Sequence, residues 1–132
     1  MAFKRLTPTL IVDGDLTRTL AFYRDLLGFQ QVAVASEEGV PTWALMKSGA
    51  VELMFEARAS FLEEAPWRPI LDGVPLGGTF VLYLEVDGID ELYNRIKTQV
   101  DLVFELADHE YGMREFTMRD CNGYVLAFGQ PI

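Results

Sequence analysis

The sequence predicts an α+β fold in which one β-α-β-β-β module is written twice. Two observations carry this reading: the order of strand-like and helix-like segments repeats, and the landmarks of the repeat share one offset. Val12-Asp13-Gly14 and Val86-Asp87-Gly88 mark the same strand-to-turn joint 74 positions apart, and Gly49 and Gly123, in the last turn of each half, are also 74 apart. Val-Asp-Gly alone is a common strand-to-turn sequence, but the matched order of elements and the matched hairpins make it part of an internal repeat. Each module has one apolar sheet face to cover. The expected architecture is therefore two mixed sheets around a concave cleft, with helices outside.

Leu6 to Val12 is short, β-branched and bounded by Asp13-Gly14-Asp15, which predicts a strand ending in a turn. A helix follows, capped by Asp15 or Thr17: Leu16, Leu20, Phe22, Tyr23, Leu26 and Leu27 recur at helical spacing until Gly28 stops it. Phe29 to Ala35, Thr42 to Lys47 and Val51 to Phe55 read as three antiparallel strands, the last two joined by a tight turn at Ser48-Gly49. In the second half, Thr79 to Val86 is a strand, Asp87-Gly88 a turn and Ile89 to Ile96 an amphipathic helix. Asp101 to Glu105, Arg114 to Arg119 and Tyr124 to Phe128 complete it, with Asp120-Cys121-Asn122-Gly123 as the hairpin turn. Module one thus spans about residues 6–57 and module two about 79–130 of a single domain. The connector, about 58–78, is expected to be helical at Phe61 to Ala65 and broken by Pro66, Pro69 and Pro75.

A chain of 132 residues, 50% hydrophobic, can bury a core without disulfides or a structural metal. The single cysteine, Cys121, has no partner within the chain, which fits a reducing, cytoplasmic compartment. No apolar run approaches the roughly 20 residues of a membrane span, and the N-terminus runs into a strand-like segment without a signal-peptide core. A net charge of −9 disfavours nucleic acid and anionic membrane surfaces and favours cationic ligands.

Three stretches carry a family resemblance. Asp15-Leu16 through Phe22-Tyr23 to Leu27-Gly28-Phe29 resembles D-L-x-x-x-x-x-F-Y-x-x-x-L-G-F, and Tyr111-Gly112-Met113-Arg114-Glu115-Phe116 with Arg119-Asp120-Cys121-Asn122-Gly123-Tyr124 resembles W-G-x-R-E-F followed by R-D-P-x-G-N. Val86 to Tyr93 is similar to the helix that opens the second module. The pattern is that of the vicinal oxygen chelate superfamily (glyoxalase, bleomycin-resistance protein and extradiol dioxygenase), and among its branches it is closest to the bleomycin-resistance-like proteins. Because one scaffold of this kind hosts lyases, isomerases, dioxygenases and plain binding proteins, the resemblance implies the fold more sharply than the activity.

Metalloenzymes of the superfamily place one ligand on the first and one on the last strand of each module. Carried over by the flanking turns, these positions fall near Pro8, Glu52, Leu82 and Leu126, so one donor of four remains and no metal is expected. His109, between Asp108 and Glu110, reads as a solvated loop residue, and Cys121, beside Asp120, as a surface substitution where the family has proline. No Ser-His-Asp or Cys-His arrangement is suggested, so no catalytic residue is assigned.

What remains is an aromatic cavity. Phe55 and Phe116 are read as core, and the candidate ligand-binding set is Trp43, Glu52, Met54, Trp67, Tyr83, Tyr111 and Arg114. The resemblance implies a homodimer that sequesters a bulky aromatic or cationic compound, with rings stacking on it and carboxylates attracting its charge. Tyr111, Cys121 and Tyr124 stand where the family often has Trp, Pro and Asn, so the drug specificity does not carry over. Two alternatives follow from the same residues. One is a divalent-metal lyase, isomerase or dioxygenase with an atypical site at Glu52 and His109; the other is a non-catalytic regulatory dimer.

Overall fold

In the computed structural model, which describes residues 1–132, each half of the repeat forms a four-stranded mixed sheet with a helix against one face. The chain divides into two units, Met1–Val74 and Pro75–Ile132. In the first, β1 (Thr9–Val12), α1 (Thr17–Asp25), β2 (Gln30–Glu37), β3 (Val40–Ser48) and β4 (Val51–Ala57) give the sheet order β1-β4-β3-β2. The pair β1/β4 is parallel and the other two are antiparallel. The first strand begins three residues later than Leu6, at Thr9. Strands β2, β3 and β4 run beyond the predicted limits, and two register shifts carry β2 along the sheet edge.

Helix α1 starts where the Asp15 Oδ1 accepts the Thr17 N–H at 2.8 Å, so Asp15 supplies the cap from two residues upstream, and its carboxyl is held below the usual range first by the Thr17 hydroxyl and then by that N–H. It ends at Asp25, short of the predicted Gly28, and the turn after it is closed at Gly28, which adopts φ +75, while the Phe29 N–H returns to the Tyr23 carbonyl at 3.0 Å. Leu16, Leu20 and Tyr23 point into the sheet and are buried with Leu10, Val12, Leu53 and Phe55; the Tyr23 and Phe55 rings lie 4.7 Å apart. Each such side chain contributes about 1.5–3 kcal/mol on burial, which binds α1 to one face of the sheet.

The connector is helical in more places than the prolines predict. It forms α2 (Arg58–Leu62), one 3-10 turn (Ala65–Trp67) and α3 (Arg68–Leu71). Pro66 and Pro69 stand in the first turns of the last two, where a missing N–H costs nothing, so they start helical turns instead of breaking them.

The second unit repeats the plan with β5 (Val81–Glu85), α4 (Ile89–Ile96), β6 (Asp101–Asp108), β7 (Met113–Arg119) and β8 (Val125–Pro131) in the order β5-β8-β7-β6. The helix coincides with its predicted span, and its N-terminus is closed by the Gln130 side chain, whose Oε1 accepts the Ile89 N–H at 2.8 Å. Ile89 and Ile96 of α4 are buried with Phe116, Met118, Leu126 and Phe128, and the Tyr93 ring meets Phe116 edge-on at 5.1 Å. Phe55 and Phe116 are thus core, as the sequence indicates. The β7–β8 turn is held by Asp120, whose Oδ1 accepts the N–H groups of Asn122 and Tyr124 at 2.8 and 2.9 Å.

Candidate open-face site

Strand alternation and helix packing together decide which side chains stand on the uncovered face of each sheet. In the first sheet Leu53, Phe55 and Ala57 are buried on the α1 side, so Glu52, Met54 and Glu56 of β4 stand on the other. Across the ladder they pair with Lys47, Leu45 and Trp43 of β3. Trp43, Glu52 and Met54 from the candidate set therefore share one face. Glu52 lies within 3.6 Å of Arg5 and 4.0 Å of Lys47, a carboxylate already balanced by two cations. Glu56 has its carboxyl pushed up by burial and then by the negative charge of Glu64. Trp67 packs edge-on against Phe61 at 5.1 Å, inside the connector.

In the second sheet the same logic puts Leu82, Leu84, Leu126 and Phe128 on the α4 side. Tyr83, Ala127, Gly129, Glu115 and Thr117 stand on the open face. Here four polar and aromatic groups converge. The Tyr83 hydroxyl donates to one oxygen of Glu115 and the Tyr111 hydroxyl to the other. His109 stacks on Tyr111, ring centroids 5.2 Å apart and planes 14° from parallel, with its Nε2 3.6 Å from Glu115 Oε1. His109 is thus no plain solvated loop residue: the β6–β7 turn, closed by its N–H to the Met113 carbonyl at 2.8 Å, folds it back over the sheet.

The electrostatics follow from those bonds. The hydroxyls of Tyr111 and Tyr83 hold Glu115 below the usual carboxylate range. In return Tyr83 is pushed up to about 12, first by its hydrogen bond to Glu115, and Tyr111 is raised for the same reason. At neutral pH the site is a carboxylate clasped by two protonated phenols. Beside it a groove of about 320 Å³ is lined by Phe104, Glu105, Ala107, His109, Tyr111, Glu115, Phe116 and Thr117. The groove exists because β6 carries two register shifts, between Leu102 and Phe104 and between Phe104 and Ala107, which turn Phe104 and Ala107 to the same face as Thr117 and Glu115.

Arg114 points the other way. It lies on the α4 side of β7, with Nη1 2.8 Å from Asp90 and Nε 2.6 Å from Asp108, and these carboxylates raise its pKa further. Of the predicted set, the structure therefore unites Tyr83 with Tyr111 on one open face and Trp43, Glu52 and Met54 on another. The sequence reading missed Glu115 and Gly129. Glu115 was visible only as part of a motif word; Gly129, a glycine inside a strand, is the usual mark of a close approach, and here the Tyr83 side chain crosses it.

Of the four positions where the superfamily holds a metal, Glu52 stands on its open face and the other three shift by one residue. Leu82 and Leu126 face α4, so the open-face residues beside them are Val81, Tyr83, Val125 and Ala127, and on β1 they are Thr9 and Ile11. These add no nitrogen or carboxylate donor, and no three His, Cys, Asp or Glu side chains converge to hold a metal ion. The residues present do not fit a divalent metal centre of the superfamily's kind.

The model of the "Glyoxalase/Bleomycin resistance protein/Dioxygenase superfamily" matches residues 5–128. Bleomycin resistance proteins of Geobacillus stearothermophilus and Staphylococcus aureus are 31% identical over 130 residues, covering 90% of this chain and 91% of theirs. Among solved structures, TioX from Micromonospora sp. ML1 superposes with a TM-score of 0.74 at 20% identity, covering 98% of this chain and 100% of that one. A protein of unknown function from Agrobacterium tumefaciens str. C58 also reaches a TM-score of 0.74, at 25% identity, with 100% of this chain and 97% of that one covered.

Proposed function

The chain belongs to the glyoxalase/bleomycin resistance protein/dioxygenase superfamily, and from that premise we propose that it is a metal-free binding protein that sequesters a flat aromatic, cationic compound. The observation that carries the reading is the groove beside Glu115. It offers aromatic walls, one carboxylate pre-organised by Tyr83 and Tyr111, and a volume of about 320 Å³, at the small end of the range for small-molecule sites. Flat rings stack on Tyr111, and a carboxylate fixed in place orients a positive charge at little entropic cost. Nothing in the site resembles a nucleophile with its base, so the reading is capture and not turnover.

Antibiotic resistance by sequestration is the biological role this reading favours, in line with the relatives named for bleomycin resistance. With one cysteine, Cys121, the chain forms no internal disulfide, which fits a cytoplasmic protein, and no helix is long and apolar enough to cross a membrane. We further propose that the working unit is a homodimer. The test of the central reading is a thermal-shift panel of bleomycin-type glycopeptides, flat aromatic cations and their neutral analogues. At least one aromatic compound at about 100 times its Kd raises stability by about 2.7 kcal/mol, a clear rise in Tm. A panel without a single shift would sink the reading.

A further inference from the structure

We infer that Glu115 is the counter-ion for an organic cation and that His109 is a proton-operated competitor for it, so that capture at this groove strengthens as pH rises from about 5 to 8. The inference rests on the binding reading above and adds to it the group that recognises the charge and the device that regulates it.

The geometry is specific. Glu115 accepts one hydroxyl on each oxygen, and a carboxylate oxygen has room for two acceptor contacts, so each retains a free direction. Its side chain is only 14% exposed, whereas Tyr111 beside it is 63% exposed as a residue and has one ring face covered by His109. A flat cation stacked on the free part of Tyr111 therefore brings its charge to the carboxylate. His109 Nε2 already stands 3.6 Å from the same carboxylate. When it carries a proton it supplies the positive charge that the ligand would otherwise supply. When neutral it leaves the carboxylate to the ligand while its ring remains stacked.

The remaining charged neighbours do not offer a competing switch. Asp108, beside His109 in sequence, is paired with Arg114 on the opposite face of β7 and is held below the usual carboxylate range. Glu105 lines the groove and Glu85 lies two residues along β5 from Tyr83; both are carboxylates, whose negative charge favours a cation. Tyr83 and Tyr111 stay protonated through neutral pH, since both are raised. Histidine is the side-chain type whose charge changes in the physiological range, and among the groups around Glu115 it is the one that can act as a switch. Proton and ligand binding are then reciprocal: each occupied site weakens the other by the same factor.

The probe is ethidium, a flat cation whose charge is permanent, so that any pH dependence belongs to the protein; phenanthridine at pH 8 is the neutral control. Fluorescence titration of the full chain is expected to show affinity about five- to tenfold higher at pH 8 than at pH 5, in the range of one partly screened charge pair. His109→Gln flattens the profile at the high-pH affinity, and Glu115→Gln weakens binding at pH 8 by about tenfold, both with unchanged far-UV circular dichroism. A wild-type profile without pH dependence, a profile retained in His109→Gln, or no ethidium binding at pH 8 overturns the inference. If phenanthridine or other neutral aromatics still bind in any of those cases, the sequestration reading survives on its own; if no aromatic binds, both fall.

Discussion

Tyr83 reaches Glu115 by crossing β8 at a residue with no side chain. A Cβ on Gly129 would lie 2.0 Å from the Tyr83 hydroxyl and 2.7 Å from its Cζ, closer than real atoms approach. Gly129→Ala is therefore expected to expel the Tyr83 hydroxyl from Glu115 while leaving the strand intact. The consequence is visible in the phenol titration. Tyr83 is raised from 10.0 to about 12, so the stability its hydrogen bond contributes is fully present below about pH 10 and is lost as pH rises through about 12. Ultraviolet titration of tyrosinate should show a phenol ionising near 12 in the wild type and missing in Tyr83→Phe. In Gly129→Ala that phenol returns towards 10. An unchanged titration in Gly129→Ala would show that Tyr83 does not depend on the glycine.

At the scale of elements, Arg58 holds the connector to the first sheet. Its guanidinium is 13% exposed, donates to Asp13 at 2.6 Å, and sends Nη1 to the carbonyls of Leu71 and Val74 at 2.6 Å each. It thus joins the turn after β1 to the end of α3. Arg58→Ala leaves two carbonyls and a carboxylate without that donor, and charge-assisted hydrogen bonds of this kind are worth about 1.5–3 kcal/mol each in part-buried settings. Urea unfolding is expected to show a loss of about 3 kcal/mol, with Arg58→Lys recovering less than half because an ammonium lacks the planar fork. A loss below about 0.5 kcal/mol would mean that the connector is held by packing alone. The elements also show which parts of the structure were legible. Helix α4 was read to the residue because Ile89, Leu92 and Ile96 keep strict helical spacing and Lys97 begins a polar run. Strands β2 and β6 were read short because both are edge strands whose register shifts interrupt alternation. The open-face site was legible only in part. Alternation tells that Trp43, Glu52 and Met54 can share a face, but which face the helix covers depends on Tyr23 meeting Phe55, a tertiary contact. Glu115 and His109 come together through a bulged hairpin that no local pattern announces.

For the molecule as a whole, the distribution of apolar surface asks for a partner. All eight residues of β2 are exposed although the strand carries Val32 and Val34, and Phe104 on the other edge strand, β6, is 68% exposed. Edge strands with apolar side chains are a liability that proteins cover or charge, and here neither edge is covered within its own unit. A second copy of the chain is the occupant consistent with the dimer we propose. Each copy carries a net charge of −9, so the two repel, and apolar contact with edge-strand hydrogen bonding must outweigh that repulsion. This fixes the sign of the salt effect: screening weakens the repulsion and leaves the apolar contact, so added sodium chloride should tighten the dimer, the reverse of an interface held by ion pairs. Multi-angle light scattering at tens of micromolar is expected to give about 30 kDa, twice the 14.9 kDa of the chain, with the dissociation constant falling as salt is raised from about 0.05 to 0.5 M. The double variant Val32→Lys with Val34→Lys, placed on an exposed edge where lysine does not disturb the core, should give about 15 kDa and an unchanged circular dichroism spectrum. A wild-type chain that stays at the monomer mass at every salt concentration would mean that these edges are tolerated in water and that the groove beside Glu115 works in a single copy.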